Sequence, residues 1–220
     1  KGEVMFIDQH LSETVEQMRN QQLKKPDVAV IEAVAITEDG GIIPTTSVGN
    51  SASFAIFAKE VIVEINTNLS PAFEGLHDIY IPSYRPTRQP IPLTQIDERI
   101  GTQAIQIDPA KIVGIVFNNE LHDSPSTVTA PDDETQSIAN HLIAFFEKEV
   151  ETGRLPSNLG PLQAGIGSIA NAVLTGLKDS NFEDLIMYSE VLQDCTFELI
   201  DAGKMKFASG SSITLSAKYG

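Results

Sequence analysis

Two short stretches of the chain hold the groups best suited to covalent chemistry. In MYSEVLQD, residues 187–194, the apolar run Leu185-Ile186-Met187-Tyr188 stops at Ser189-Glu190 and resumes with Val191 and Leu192. A carboxylate set between a buried strand and the next element is costly unless solvent, a partner or a reaction uses it. In an open parallel sheet, ligands bind beyond the carboxyl ends of the strands, and Glu190 stands at such an end. Its plain alternative is a solvated acid that caps the following helix, where its charge suits the N-terminal dipole. The second stretch is Gly165-Ile166-Gly167-Ser168-Ile169-Ala170, which opens a helix ending near Leu177. Two glycines around one residue let a tight loop turn its N–H groups outward, an arrangement that can hold an anion or an oxyanion at a helix start. The same residues match the dinucleotide fingerprint G-x-G-x-x-G/A, with Glu190 placed where a ribose-binding acid would stand. That fingerprint needs a hydrophobic strand just ahead of it, and the lead-in here is PSNLGPLQA. A close strand–helix turn without any ligand is the third reading, and the residues alone leave all three open.

A third stretch, IIPTTSVGN at 42–50, ends in hydrogen-bonding residues and a glycine. Ser47, Gly49 and Asn50 there form either a substrate-facing loop or an ordinary turn. The histidines, His10, His77, His122 and His141, do not pair at metal-ligand spacing, and Cys195 has no C-x-x-C partner, so no metal site is expected. Cys195 falls in the first turns of a helix, a position that can lower a thiol pKa, although a lone cysteine on an amphipathic helix is more often packing. The chain has no G-x-S-x-G elbow and no P-loop.

The elements that must position these groups are legible from patterning. Of the 220 residues, 41% are hydrophobic and 20% charged, an ordinary globular composition long enough for one large or two small domains. No apolar run approaches the roughly 20 residues of a membrane span, so none is expected. With 15 basic against 30 acidic residues the formal charge is −15, which argues against a nucleic-acid partner. A single cysteine excludes an internal disulfide and fits a reducing compartment, which points to the cytoplasm or, in a eukaryote, the mitochondrial matrix. The chain starts at Lys1 without an initiator Met, as a fragment or processed chain would.

The pattern predicts strands at 3–7, 28–36, 61–65 and 112–117, a helix from Ser12 to about Leu23, and a helical piece at 54–58. Repeated prolines make 70–99 an irregular excursion. The polar segment 119–134 is the candidate boundary, and a helix follows from about Glu134 to Glu151. Ile138, Leu142, Phe145, Phe146 and Val150 fall on one face of that helix. Next come the helix at 169–177, the strand LIMY, a helix from Val191 to about Ala202 and a last strand near 204–208. Strands alternating with helices indicate an α/β fold with a largely parallel sheet.

Together these pieces resemble one family, the acetyl-CoA hydrolases and acetate-type CoA-transferases within the class I CoA-transferases. The resemblance runs from His10-Leu11-Ser12 through DVAVIEA, IIPTTSVGN, EGLHDIY (74–80), IPL and ERIG (91–101) to GRLP (153–156). It continues through LQAGIGSIANAVL (162–174) and YSEVLQD (188–194). It implies two open, mostly parallel α/β domains, both incomplete in this chain: the end of a first domain at 1–122, a linker at 123–134 and the beginning of a second, catalytic-glutamate domain at 135–220. The family's nucleophilic glutamate falls on Glu190 and its oxyanion donor on the backbone N–H of Ile166. Gly165, Gly167, Asn171, Ser47, Gly49 and Asn50 become the expected residues for CoA or substrate.

The activity implied is CoA transfer from a short-chain acyl-CoA to a carboxylate through a glutamyl-CoA thioester, or hydrolysis at the same site, with CoA as substrate, no separate cofactor and a homodimeric assembly. The family's CoA-gripping glycine-rich loop and a second acid lie downstream of Gly220, so this chain alone is expected to be an incomplete catalyst. Cys195 stands where many members have glycine, and His122-Asp123 where some have arginine. The competing readings are a nucleotide-binding oxidoreductase built on GIGSIA and a piece that only binds acyl-CoA or another subunit.

Overall fold

The computed structural model describes residues 4, 6–119 and 131–216. The chain divides into two compact units, one formed by 1–92 and 100–120, the other by 93–99 and 121–220. The expected linker lies largely at 123–130, outside the described residues, as does His122-Asp123.

In the first unit, helix α1 (Leu11–Arg19) precedes β1 (Val28–Ile36), β2 (Ile42–Pro44), α2 (Ser51–Phe57), β3 (Glu60–Asn66) and β4 (Ile112–Asn118). The sheet order is β2-β1-β3-β4, with β2 antiparallel to β1 and the other pairs parallel. Along β1 buried Ala29, Ile31 and Ala33 alternate with more exposed neighbours, the period-2 pattern of a strand with one covered face. They pack with Ile42, Ala55, Val61, Val63, Ile65 and Ile105 into one core. The strand expected at 3–7 does not form at Phe6 and Ile7, which are exposed coil. Ser12 does not cap α1 either: the cap position is His10 and no side chain bonds there.

The proline-rich excursion is fastened to α1 by charge. Glu16, only 6% exposed, accepts Arg19 Nη1 at 3.1 Å and Arg88 Nη1 at 3.2 Å, with Arg85 Nε at 3.5 Å. The Arg19 guanidinium also donates to the carbonyls of Pro82 (2.7 Å) and Ser83 (3.3 Å) and lies 4.7 Å from the Tyr84 ring centre. A carboxylate is tolerated at this depth because cations and hydrogen bonds replace its water.

In the second unit, α3 (Asp133–Glu151) is followed by β5 (Pro161–Leu162), α4 (Ser168–Lys178), β6 (Leu185–Tyr188), β7 (Val191–Leu192), α5 (Asp194–Asp201), β8 (Met205–Ser209) and β9 (Ser212–Ile213). A parallel sheet β5-β6-β8 stands beside a parallel β7-β9 pair. Leu174, Leu177, Leu185, Met187, Leu199 and Met205 fill the core between helices and sheet. The α/β fold with mostly parallel sheets agrees with the patterning.

Two local expectations do not hold. On α3, Ile143, Phe146 and Val150 join the core with buried Ala139, whereas Ile138, Leu142 and Phe145 face outward. The packed stripe, against which α4 lies, is rotated from the expected face: it keeps Phe146 and Val150 and takes in Ala139 and Ile143 in place of Ile138, Leu142 and Phe145. The helix expected from Val191 starts instead at Asp194, because Val191 and Leu192 pair as a strand with Ser212 and Ile213. β-branched Val191 suits that pairing.

Candidate active site

The parallel strands β5 and β6 run side by side with Pro161 opposite Ile186 and Leu162 opposite Met187. Carrying that register forward brings Ala164 opposite Ser189, so both sequence-nominated turns leave the same end of the sheet. The hydroxyl of Ser189 donates to the Ala164 carbonyl at 2.8 Å and accepts the Ala164 N–H at 3.4 Å. On the other side, the Ser189 N–H donates to the Ser209 carbonyl of β8 at 2.9 Å. The glycine turn and the glutamate turn are therefore tied to one residue.

The Glu190 backbone is equally constrained. Its carbonyl accepts the N–H of Ser211 (2.8 Å), the N–H of Ser212 (3.1 Å) and the Ser211 hydroxyl (2.9 Å). Gly210 lets the returning chain come this close, since a Cβ there would stand 2.9 Å from Leu192 Cγ and 3.3 Å from the Glu190 carbonyl. The Glu190 residue itself is exposed, and its carboxylate has no hydrogen-bond or ion-pair partner among the described residues. It does not cap α5, whose cap position is Gln193. A fixed backbone under a free carboxylate is what a nucleophile needs, because little orientational freedom is left to lose when it attacks.

The glycine turn supplies donors. Gly167 occupies the cap position of α4 at φ 131°, where an L side chain would be strained, and no side chain caps the helix. On α3, by contrast, the Asp132 carboxylate accepts the Thr135 N–H at 2.8 Å, and hydrogen bonding from the Thr135 side chain, then from that N–H, holds the carboxyl pKa below its ordinary range. The first N–H groups of α4 thus keep their hydrogen-bonding capacity, at the positive end of the helix dipole. Ile166 is 72% exposed, and nothing would crowd a Cβ at either flanking glycine. The turn is therefore open to solvent on the side of these glycines.

Asn171 belongs to the same unit but is buried on α4, with its Oδ1 3.5 Å from Cys195 Sγ. Burial pushes the Cys195 thiol up to about 11, overriding the lowering expected from its place in the first turn of α5. Cys195 is therefore a buried, protonated thiol and a poor nucleophile.

Ser47, Gly49 and Asn50 stand in the first unit, in the turn from β2 into α2. Ser47 and Gly49 are exposed, and Asn50 is the cap position of α2. The base of that turn is anchored by groups that patterning did not nominate. Thr45 Oγ1 donates to Glu32 Oε2 at 2.7 Å, Asn66 Nδ2 donates to Glu32 Oε1 at 2.9 Å, and His77 Nε2 bonds the Thr45 carbonyl at 3.1 Å. Period-2 alternation places Glu32 on the face of β1 opposite the core, a signal that could have flagged it.

The first unit also holds a cavity of about 300 Å³ lined by Ala52, Ile56, Ile79, Tyr80, Thr102 and Gln106 among others. None of the nominated residues lines it. Among the described residues no cluster of three His, Cys, Asp or Glu side chains is placed to hold a metal ion. No helix there is long and apolar enough to cross a membrane.

Comparison with known proteins identifies relatives of this chain. The chain is 46% identical over 222 residues to the acetyl-CoA hydrolase of Schizosaccharomyces pombe, an alignment covering 98% of this chain and 42% of that protein. It is 45% identical to the succinyl-CoA:acetate CoA-transferase of Clostridium kluyveri, covering 97% of this chain and 39% of that protein. The chain thus spans about two-fifths of the length of these relatives. The fold is similar to the crystal structure of 4-hydroxybutyrate CoA-transferase from Porphyromonas gingivalis, with a TM-score of 0.63 at 20% identity, over 96% of this chain and 46% of that one. It is also similar to RipA from Yersinia pestis, with a TM-score of 0.58 at 17% identity, over 96% and 44% of the two chains. These relatives lend no support to an oxidoreductase built on the glycine turn, and the strand ahead of that turn is only Pro161–Leu162. The profile for the acetyl-CoA hydrolase/transferase N-terminal domain matches residues 1–117 of the 220. The chain belongs to the acetyl-CoA hydrolase/transferase family.

Proposed function

We propose that this chain carries the nucleophile-bearing part of an enzyme that moves CoA from a short-chain acyl-CoA to a carboxylic acid, or hydrolyses acetyl-CoA at the same site. The observation that supports it most directly is the Glu190 carboxylate, exposed and unpartnered among the described residues, on a backbone pinned by Ser211 and Ser212 and next in the chain to Ser189, which bonds Ala164 ahead of the glycine turn. In this reading a Glu190 oxygen attacks the thioester carbonyl, and the amide of Ile166 takes up the charge on the carbonyl oxygen. The C–S bond breaks, CoA leaves as thiolate with the electron pair, and a mixed anhydride remains. The thiolate attacks the Glu190 carbonyl carbon, expels the acyl group as a carboxylate and leaves a glutamyl-CoA thioester. An acceptor carboxylate then reverses these steps, or water releases CoA and regenerates the glutamate. Holding a weak nucleophile and an oxyanion donor in fixed geometry is what such a reaction requires.

Gly165 and Gly167 keep the approach open in this scheme, with Asn171 supporting α4 behind them. Ser47, Gly49 and Asn50 are assigned to substrate contact from the first unit. CoA is a substrate here and no further cofactor is invoked. The working assembly is a homodimer and the compartment the cytoplasm, or the mitochondrial matrix in a eukaryote.

The test is mass analysis of the full-length protein after mixing with acetyl-CoA. A CoA adduct on the peptide holding Glu190, lost in Glu190→Ala, is the expected result. An adduct on Cys195 instead, or none at all, sinks the reading.

A further inference from the structure

We infer that Ser189 is the positioning residue of this site, setting the distance between the carboxylate at 190 and the amide of Ile166. The inference rests on the function proposed above. Ser189 directly follows β6, the central strand of the sheet, where the regular ladder between β5 and β6 has already ended at Leu162 and Met187. Beyond that point neighbouring strands ordinarily diverge, since no backbone bonds hold them. Here the side chain continues the ladder. One hydroxyl both donates to the Ala164 carbonyl and accepts the Ala164 N–H, while the backbone N–H of the same residue holds Ser209 on the opposite strand.

Ser189 is 9% exposed, so water does not readily substitute for the hydroxyl. It is bonded directly to Glu190 in the chain, and its partner Ala164 lies two residues before Ile166. Any slackening of the clamp therefore changes the spacing of the two groups that must act on one carbonyl. A residue chosen only to fill space would be apolar, like Leu185 and Met187 on the strand just before it, which are fully buried. A hydroxyl at this position leaves two backbone groups satisfied that alanine would leave without partners.

The experiment uses full-length protein and the variants Ser189→Ala and Ser189→Thr, with the glutamyl-CoA adduct counted by mass so that rates refer to competent sites. In Ser189→Ala the rate of adduct formation per competent site should fall about 10- to 100-fold, the loss expected from a displacement of about an ångström, with KM for acetyl-CoA within about twofold. Ser189→Thr keeps the hydroxyl and should recover most of that rate. Amide exchange should rise at 163–167 in the alanine variant and stay unchanged at 205–209, where the link is backbone to backbone.

A purely structural role would reduce the number of competent sites and leave their rate alone, and that result overturns the inference. Unchanged exchange at 163–167 also overturns it. If alanine prevents folding, the threonine variant decides: a rate near wild type upholds the clamp, and a loss of 10-fold or more overturns it. Failure of the underlying reading looks different, because wild-type protein would then form no adduct on Glu190.

Discussion

Glu16 in the first unit and Glu190 in the second are the same side chain put to opposite uses. Glu16 is buried, and three guanidiniums surround it, joining α1 to the proline-rich excursion. Glu190 is exposed and its carboxylate is unpartnered among the described residues, yet three hydrogen bonds fix its main chain. In the first case the oxygens carry the constraint, and in the second the backbone does. A carboxylate whose lone pairs are taken up by arginines is a fastening. One whose lone pairs are free on a rigid support is available to attack.

The largest effect should come from removing the free oxygens. In full-length enzyme, Glu190→Gln is expected to lower turnover by roughly 10³-fold or more, as loss of a nucleophile does, while stability changes by less than about 0.5 kcal/mol. A steady-state assay beside a urea melt checks both halves, and a large stability loss would break the contrast. Glu16→Ala should do the reverse. Stripping the buried carboxylate leaves Arg19 without its counter-charge and should cost about 3 kcal/mol in the same melt, with the rate per folded molecule retained.

Gly210→Ala sharpens the claim that the backbone matters at Glu190. A Cβ set against Leu192 and the Glu190 carbonyl should shift that turn, lowering kcat about tenfold for a stability loss of only ~1 kcal/mol. A variant with unchanged kcat would show that the turn tolerates movement.

The smallest effect concerns Asp27, an exposed carboxylate that is paired like Glu16. Hydrogen bonds and charge from Lys24, then Lys59, lower its pKa to about 2. With the folded value below the ordinary 3.8, the pairing contributes stability above about pH 4 and loses it as pH falls through 2. The melting temperatures of wild type and Asp27→Asn should therefore differ slightly near neutral pH and converge near pH 2, and high salt should shrink the difference.

Much of the architecture was legible in the residues. The strand at 28–36 follows from a β-branched run bounded by Pro26-Asp27 and the Gly40-Gly41 turn, and LIMY at 185–188 reads the same way. Both depend on local spacing, which short-range sterics enforce. The misjudged places depended on partners distant in the chain. Val191 and Leu192 are strand only because Ser212 and Ile213 come back alongside them, and α3 buries a stripe rotated from the expected face because α4 lies against it. Cys195 shows the same conflict electrostatically, since its helix-start position argues for a lowered pKa and its burial raises it.

For the candidate site, the residues alone name the groups on offer: one acid at a strand end, and two glycines at a helix start. They also carry the family resemblance that gives those groups roles. Tertiary structure decided that Glu190 is exposed with a pinned backbone, that Ser189 reaches Ala164 across 25 residues of chain, and that the turn at 210–212 returns to hold the glutamate. Propensity and periodicity act over a few residues, whereas these contacts exist only once non-local strands have paired and their register has been chosen.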